Sequence, residues 1–212
     1  MEQAPPRLRV MADMLSSDAM PTADATIVLL ATAGWFLIAC LVGLAGVLGG
    51  ARAPVPQVLI AALTAAVLLT GRAAPPVRRF LLEVDLRALV LIHVSRLVGI
   101  YFLILHGRGE LPWAFAVPGG SGDIAVAVAS IAIGLLVAPD SAMGRRIVLA
   151  WNLFGLADIL MVVATAARLG MADPASMRAL LHLPLSLLPT FLVPIIIASH
   201  LVIFWRLRRP AR

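Results

Sequence analysis

Four side chains in this sequence combine a reactive type with an expensive position: Arg96, Asp158, His93 and His200 all fall inside long apolar runs. An ionisable group in the hydrocarbon core costs several kcal/mol or more, so it faces a partner, a cavity or both. Arg96 stands ten residues past Leu86, where one run begins, and Asp158 eleven past Ile147, where another begins. At ~1.5 Å per residue both lie about 15 Å deep, near the middle of a ~30 Å core. Opposite charges at one depth on separate helices predict an intramembrane Arg96–Asp158 ion pair. Such a pair either locks two helices at little net gain or forms part of a polar site for a small solute, a proton or a lipid headgroup. Asn152 precedes Asp158 by six residues, which turns it about 120° around an ideal helix. It adds a donor and an acceptor without having to share the Asp158 face.

The histidines define a second constellation. His93 is seven residues past Leu86, and His200 is five to seven residues before the end of the last apolar run, at Trp205 or Leu207. Two histidines at matching depth on separate helices have the disposition of axial ligands to a b-type haem. A second pair, His106 and His182, would extend this to an electron path, but His106 follows His93 by thirteen residues. That spacing points the two about 140° apart on an ideal helix, and His182 stands just before Pro184, outside regular helix. The haem alternative therefore reduces to His93 and His200, and no other metal is expected. The competing reading is a hydrogen-bonding role: His93 and Arg96, at i and i+3, share a face and would line the same interior.

Composition decides what positions these groups. Of 212 residues, 61% are hydrophobic and only 13% charged, with mean hydropathy +1.00, against about a quarter charged in a soluble domain. Apolar runs of the roughly 17–25 residues that cross a bilayer recur along the chain. The expected fold class is all-α, a polytopic transmembrane bundle. Its six spans are expected at residues 25–49, 56–71, 86–106, 123–138, 147–169 and 185–205, within one membrane-embedded domain over 25–209. Residues 1–24, mixed in charge and without an apolar core, read as a disordered or surface-lying cytoplasmic tail. The first apolar run is too long for a signal-peptide core, and the "ARA" after it precedes Pro54, so it is expected to stay as an anchor.

Charge sets the expected orientation. With the N-terminus inside, twelve arginines face the cytoplasm, four (Arg52, Arg108, Arg168, Arg178) face out, and Arg96 is intramembrane, which accounts for all 17 basic residues. The bias fits the positive-inside rule with both termini cytoplasmic. The net charge of +6 thus speaks for anionic lipid as partner and against nucleic acid. All the basic residues are arginine, as in a GC-rich bacterial genome, and the expected location is a bacterial inner membrane. The single cysteine, Cys40, lies within the first run, so no intrachain disulfide is possible.

Several connecting stretches carry signals of their own. "PPVRRFLLEVDLRALV", residues 75–90, has apolar residues at helical spacing and an Arg79–Glu83–Arg87 ladder, which predicts a short interfacial helix. "LPWAFAVPGGSGD", residues 111–123, is oily in its first half and rich in glycine and proline in its second. It predicts a re-entrant or interfacial segment at 111–120, with Asp123 or Ser121 capping the fourth span. Glu110, Ser121 and Asp123 are then candidates for an outer entrance. In the last run Pro194 displaces the carbonyl of Thr190, which must find another donor or face a wet cavity. Gly46 and Gly50, four apart, permit close helix approach within or between chains, and hence a homo-oligomer or membrane partner.

The stretches "SRLVG" (95–99), "LPWAFAVPGGSGD" (111–123), "WNLFGLAD" (151–158) and "LLPTFLVPIIIASH" (187–200) resemble a group of small bacterial multi-pass membrane proteins. The resemblance spans about residues 90–205. That group often has Pro-Ala-Gly where this chain has Pro118-Gly119-Gly120. No activity is established for it, so the resemblance implies the architecture and no reaction. Catalytic signatures are missing as well: there is no His-Glu-x-x-His, no cysteine cluster, no lysine for a serine–lysine dyad and no acidic metal cluster. Three readings remain: a polar intramembrane site built on Arg96 and Asp158 with His93 and His200, a haem-binding redox subunit, and a structural or accessory subunit.

Overall fold

The computed structural model describes residues 23–138 and 141–208. Apart from Ala23 and Asp24, the tail expected over 1–24 lies outside the described residues. The described residues are helical and contain no strand, and six helical stretches are long and apolar enough to cross a membrane. The first is α1 (Ala23–Leu44) and the second α2 (Val55–Ala73). A short surface helix, α3 (Pro75–Glu83), leads to a composite rod of α4 (Leu86–Leu91), a 3₁₀ segment (Ile92–Val98) and α5 (Gly99–Gly107). Then come α6 (Trp113–Leu136) and α7 (Ala142–Ala172). A 3₁₀ segment (Pro174–Leu181), a π turn (Leu188–Leu192) and α8 (Val193–Leu207) complete the bundle.

The apolar pattern explains which rods form the centre. Only 6% of the apolar window of α1 is buried, against 56% for the window containing α8. α1 therefore rests on the outside, while the composite rod, α6, α7 and α8 share the core. α3 is the expected surface helix, but it stops at Glu83, and Asp85 accepts the Arg87 backbone N–H as the cap of the next helix. That break cuts the Arg79–Glu83–Arg87 ladder, and Arg79 instead forms an exposed pair with Asp24 at 2.6 Å.

The expectation for the proline- and glycine-rich stretch is corrected. α6 runs unbroken through "PGGSG", so there is no re-entrant segment at 111–120 and the fourth helix begins at Trp113. A chain break at that depth would strand backbone N–H and C=O groups in hydrocarbon, whereas one proline costs a single hydrogen bond. The glycines serve a helix crossing instead of a turn. A Cβ on Gly99 would lie 2.5 Å from the Gly120 carbonyl oxygen, and one on Gly120 would lie 2.7 Å from that of Gly99. Ser121 is not a cap either; its Oγ donates to the carbonyls of Val117 and Pro118. In the other glycine pair, Gly46 takes φ +66° in the turn after α1, and neither Gly46 nor Gly50 has a neighbour where a Cβ would stand.

The proline expectation in the last rod is met in detail. The Thr190 carbonyl, displaced by Pro194, accepts the Trp35 indole N–H at 2.9 Å. α1 is thereby tied to the kinked region, where Trp35 and Phe36 also pack edge-on against Phe191.

Candidate functional site

Arg96 comes from the 3₁₀ segment, in which residues three apart eclipse one another, so His93 and Arg96 project from the same edge. Ser95 Oγ donates to the carbonyl of Ile92, three residues back, a bond that matches the tighter winding. The Arg96 guanidinium is 1% exposed and donates three ways. Nε meets Asp123 Oδ1 at 2.6 Å, Nη1 meets the Gly155 carbonyl at 2.9 Å, and Nη2 meets Asp158 Oδ2. The expected Arg96–Asp158 pair is thus present, and a second carboxylate shares the cation.

Asp123 is the principal correction among the site residues. It neither caps a helix nor guards an outer entrance; it sits ten residues into α6 and is 3% exposed. At ~1.5 Å per residue that is about 15 Å deep, level with Arg96 and Asp158. The signal was present in the chain. A fourth span starting at Asp123 has only sixteen residues to Ala138, short of the ~17 a bilayer asks for, while counting from Trp113 gives a full span. Gly122 beside it lets Asp158 approach, because a Cβ there would stand 1.9 Å from Asp158 Oδ1. Glu110 and Ser121, the other entrance candidates, are exposed and lie outside the site.

His93, His200 and Asn152 gather next to this triad, in a compartment of their own. All three are 0% exposed. Asn152 bonds His200 twice: Nδ2 donates to its carbonyl at 3.0 Å, and Oδ1 meets ring Nδ1 at 2.8 Å. Ser199 Oγ contacts His93 Nε2 at 3.1 Å. Trp151, which donates to the Val126 carbonyl, stands edge-on to His93 with centroids 4.9 Å apart. Gly155 is the seam between the two compartments. Its carbonyl accepts from Arg96, and a Cβ on it would lie 2.7 Å from His200 Cε1. Ser199, Trp151 and Gly155 were not among the residues singled out by sequence, since each is an ordinary member of an apolar helix until the fold places it.

A haem does not fit between His93 and His200. Their ring centroids are 4.2 Å apart and the planes tilt by 46°. Rings in van der Waals contact leave no slot for a macrocycle, and one nitrogen of each is already bonded within the protein. The equal depth read from the sequence is real, but the two rings meet each other directly.

On the other side of Arg96 the bundle is open. A cavity of about 80 Å³ has Ala51, Arg52, Ala53 and Pro174 on its wall at the loop end. Its walls are otherwise chiefly apolar, among them Ile60, Phe102, Phe115, Val162, Ala166, Leu192 and Ile196. Arg96 and Asp123 supply its charged depth, and Gln57 adds a polar group to the wall. Asp158, His93, His200 and Asn152 do not line it. The arrangement offers an oily passage that ends on a buried charge cluster, with a compact histidine compartment behind.

A protein-family model described as "Domain of unknown function (DUF8737)" matches residues 53–208. The match takes in the triad, the histidine compartment and the cavity wall apart from Ala51 and Arg52, and leaves out α1. No curated protein and no solved structure matches the chain.

Proposed function

The chain belongs to this family of unknown function, and we propose that it is an integral membrane protein that binds a small apolar-bodied solute or lipid in the cavity, its polar end at Arg96 and Asp123. The observation that carries this reading is the union of an oily wall with a charged floor at mid-bundle depth. Ligand sites are concave, mostly apolar and provided with a few convergent polar groups. Packing alone accounts for the buried ion pairs, but it does not account for an open cavity that ends on one of them.

The orientation that suits this reading is the bacterial inner membrane with both termini cytoplasmic. Arginines gather at the end opposite the cavity mouth: Arg87 bonds the Val137 carbonyl, Arg145 that of Leu207 and Arg206 that of Val84. Arg52, at the mouth, would face outward. Ala166→Trp tests the reading by filling the cavity from α7. Purified protein in nanodiscs should bind octyl amphiphiles by calorimetry, and the variant should lose that binding while unfolding at the same temperature. Equal binding by both proteins would overturn the proposal and favour a structural or accessory subunit.

A further inference from the structure

The charge cluster at the floor of the cavity sets two carboxylates against one guanidinium. Arg96 is shared between two carboxylates and a carbonyl, so with all three groups ionised the triad carries one negative charge in excess. Arg96 engages Asp123 through Oδ1, and no donor among the described residues reaches Asp123 Oδ2. Farther along the same wall, Gln57 Oε1 is buried without a hydrogen-bond partner. A buried acceptor without a donor costs about 1–3 kcal/mol, and an unbalanced buried charge costs more.

From this pairing of an unbalanced carboxylate with an unmet amide oxygen, we propose that the cavity selects organic cations that carry N–H donors, such as a primary ammonium on an apolar body. This rests on the binding role proposed above and specifies its ligand class. The ammonium balances the triad and donates toward Asp123 Oδ2, and the apolar body lies along Phe102, Val162 and Leu192. A bare inorganic cation suits the site poorly, since hard cations ask for six or more oxygens and the walls are hydrocarbon. Arg52 at the mouth is exposed, so solvent and salt screen its repulsion. The floor is screened far less.

The test titrates the full-length protein, in neutral-lipid nanodiscs, with octylammonium, octyltrimethylammonium, octanol and octanoate, using empty discs to subtract partitioning. Octylammonium should bind at least tenfold more tightly than octanol or octanoate, with the trimethylated cation in between because it lacks N–H donors. Asp123→Asn should abolish the preference over octanol, and Gln57→Leu should weaken octylammonium several-fold, with both folds checked by unfolding midpoint. Equal affinity across the series, or tighter octanoate, overturns the cation claim; if Ala166→Trp still abolishes that binding, the cavity reading survives. An unchanged preference in Asp123→Asn also overturns the claim. Should that variant fail to fold, Gln57→Leu decides alone, and an unaltered octylammonium affinity there overturns the donor requirement. A cavity that binds none of the four overturns the binding role itself.

Discussion

The two sides of Arg96 are built on opposite plans. Toward the Arg52 loop lies an open volume with chiefly hydrocarbon walls and one amide oxygen, Gln57 Oε1, that no protein group satisfies. Toward α8 lie His93, His200, Asn152 and Trp151, packed ring against ring and 0–6% exposed. Both sides contain polar groups at mid-bundle depth, so polarity alone does not separate a site from a scaffold. The difference is whether space is left beside them, since each side holds buried atoms without a partner: Gln57 Oε1 on the cavity wall, His93 Nδ1 and His200 Nε2 in the compartment. On the histidine side one nitrogen of each ring is held by a neighbour. There the rings fill the space against each other, whereas on the cavity side the charged floor borders a volume that a ligand can enter.

Mutations can break or sharpen this contrast. The largest effect is expected at the boundary itself: Arg96→Met strands two carboxylates and should destabilise by about 3–5 kcal/mol, the cost of breaking a buried pair. Denaturant titration in mixed micelles checks this. The triple variant with Asp123→Asn and Asp158→Asn should regain most of the loss, and no recovery would refute the charge-balance account. Next comes a comparison of added bulk. Gly155→Ala places one methyl 2.7 Å from His200 Cε1 and should cost about 1–3 kcal/mol by overpacking. Ala166→Trp, far larger but directed into the cavity, should leave the same midpoint unchanged; the reverse order would erase the distinction between the two sides. Asn152→Leu leaves His200 Nδ1 without its partner and should cost about 1–3 kcal/mol. It should leave octylammonium affinity unchanged, since the compartment does not line the cavity. Trp35→Phe, which removes the donor to the Thr190 carbonyl, should cost about 1 kcal/mol and loosen α1 with no effect on the histidine side.

Legibility followed the range of the physics involved. The six helices were readable because a bilayer sets a length and a polarity that local sequence must meet, although the ends moved by several residues. The Arg96–Asp158 pair was readable because rise per residue converts position into depth, and equal depth with opposite charge identifies partners. The need of the Thr190 carbonyl for another donor followed from proline chemistry alone, but that Trp35 would answer it did not. Asp123 was misread because Pro118 and the following glycines signal a turn in water. Inside a bundle the same residues admit a neighbouring helix, and only the Gly99–Gly120 crossing shows which use is made of them. The helical depth of His93 and His200 was correct, yet their contact excludes the haem that equal depth suggested.

By itself the sequence determined the helical class with its six apolar spans, the matching depth of Arg96 and Asp158 and the carbonyl that Pro194 sets free, since these depend on length, hydropathy and local geometry. The tertiary structure decided which charges share a guanidinium, which histidines touch and where space remains. Those outcomes depend on helix rotation and crossing distance, and a missing Cβ at Gly99, Gly120, Gly122 or Gly155 sets them through contacts with residues far away in the chain.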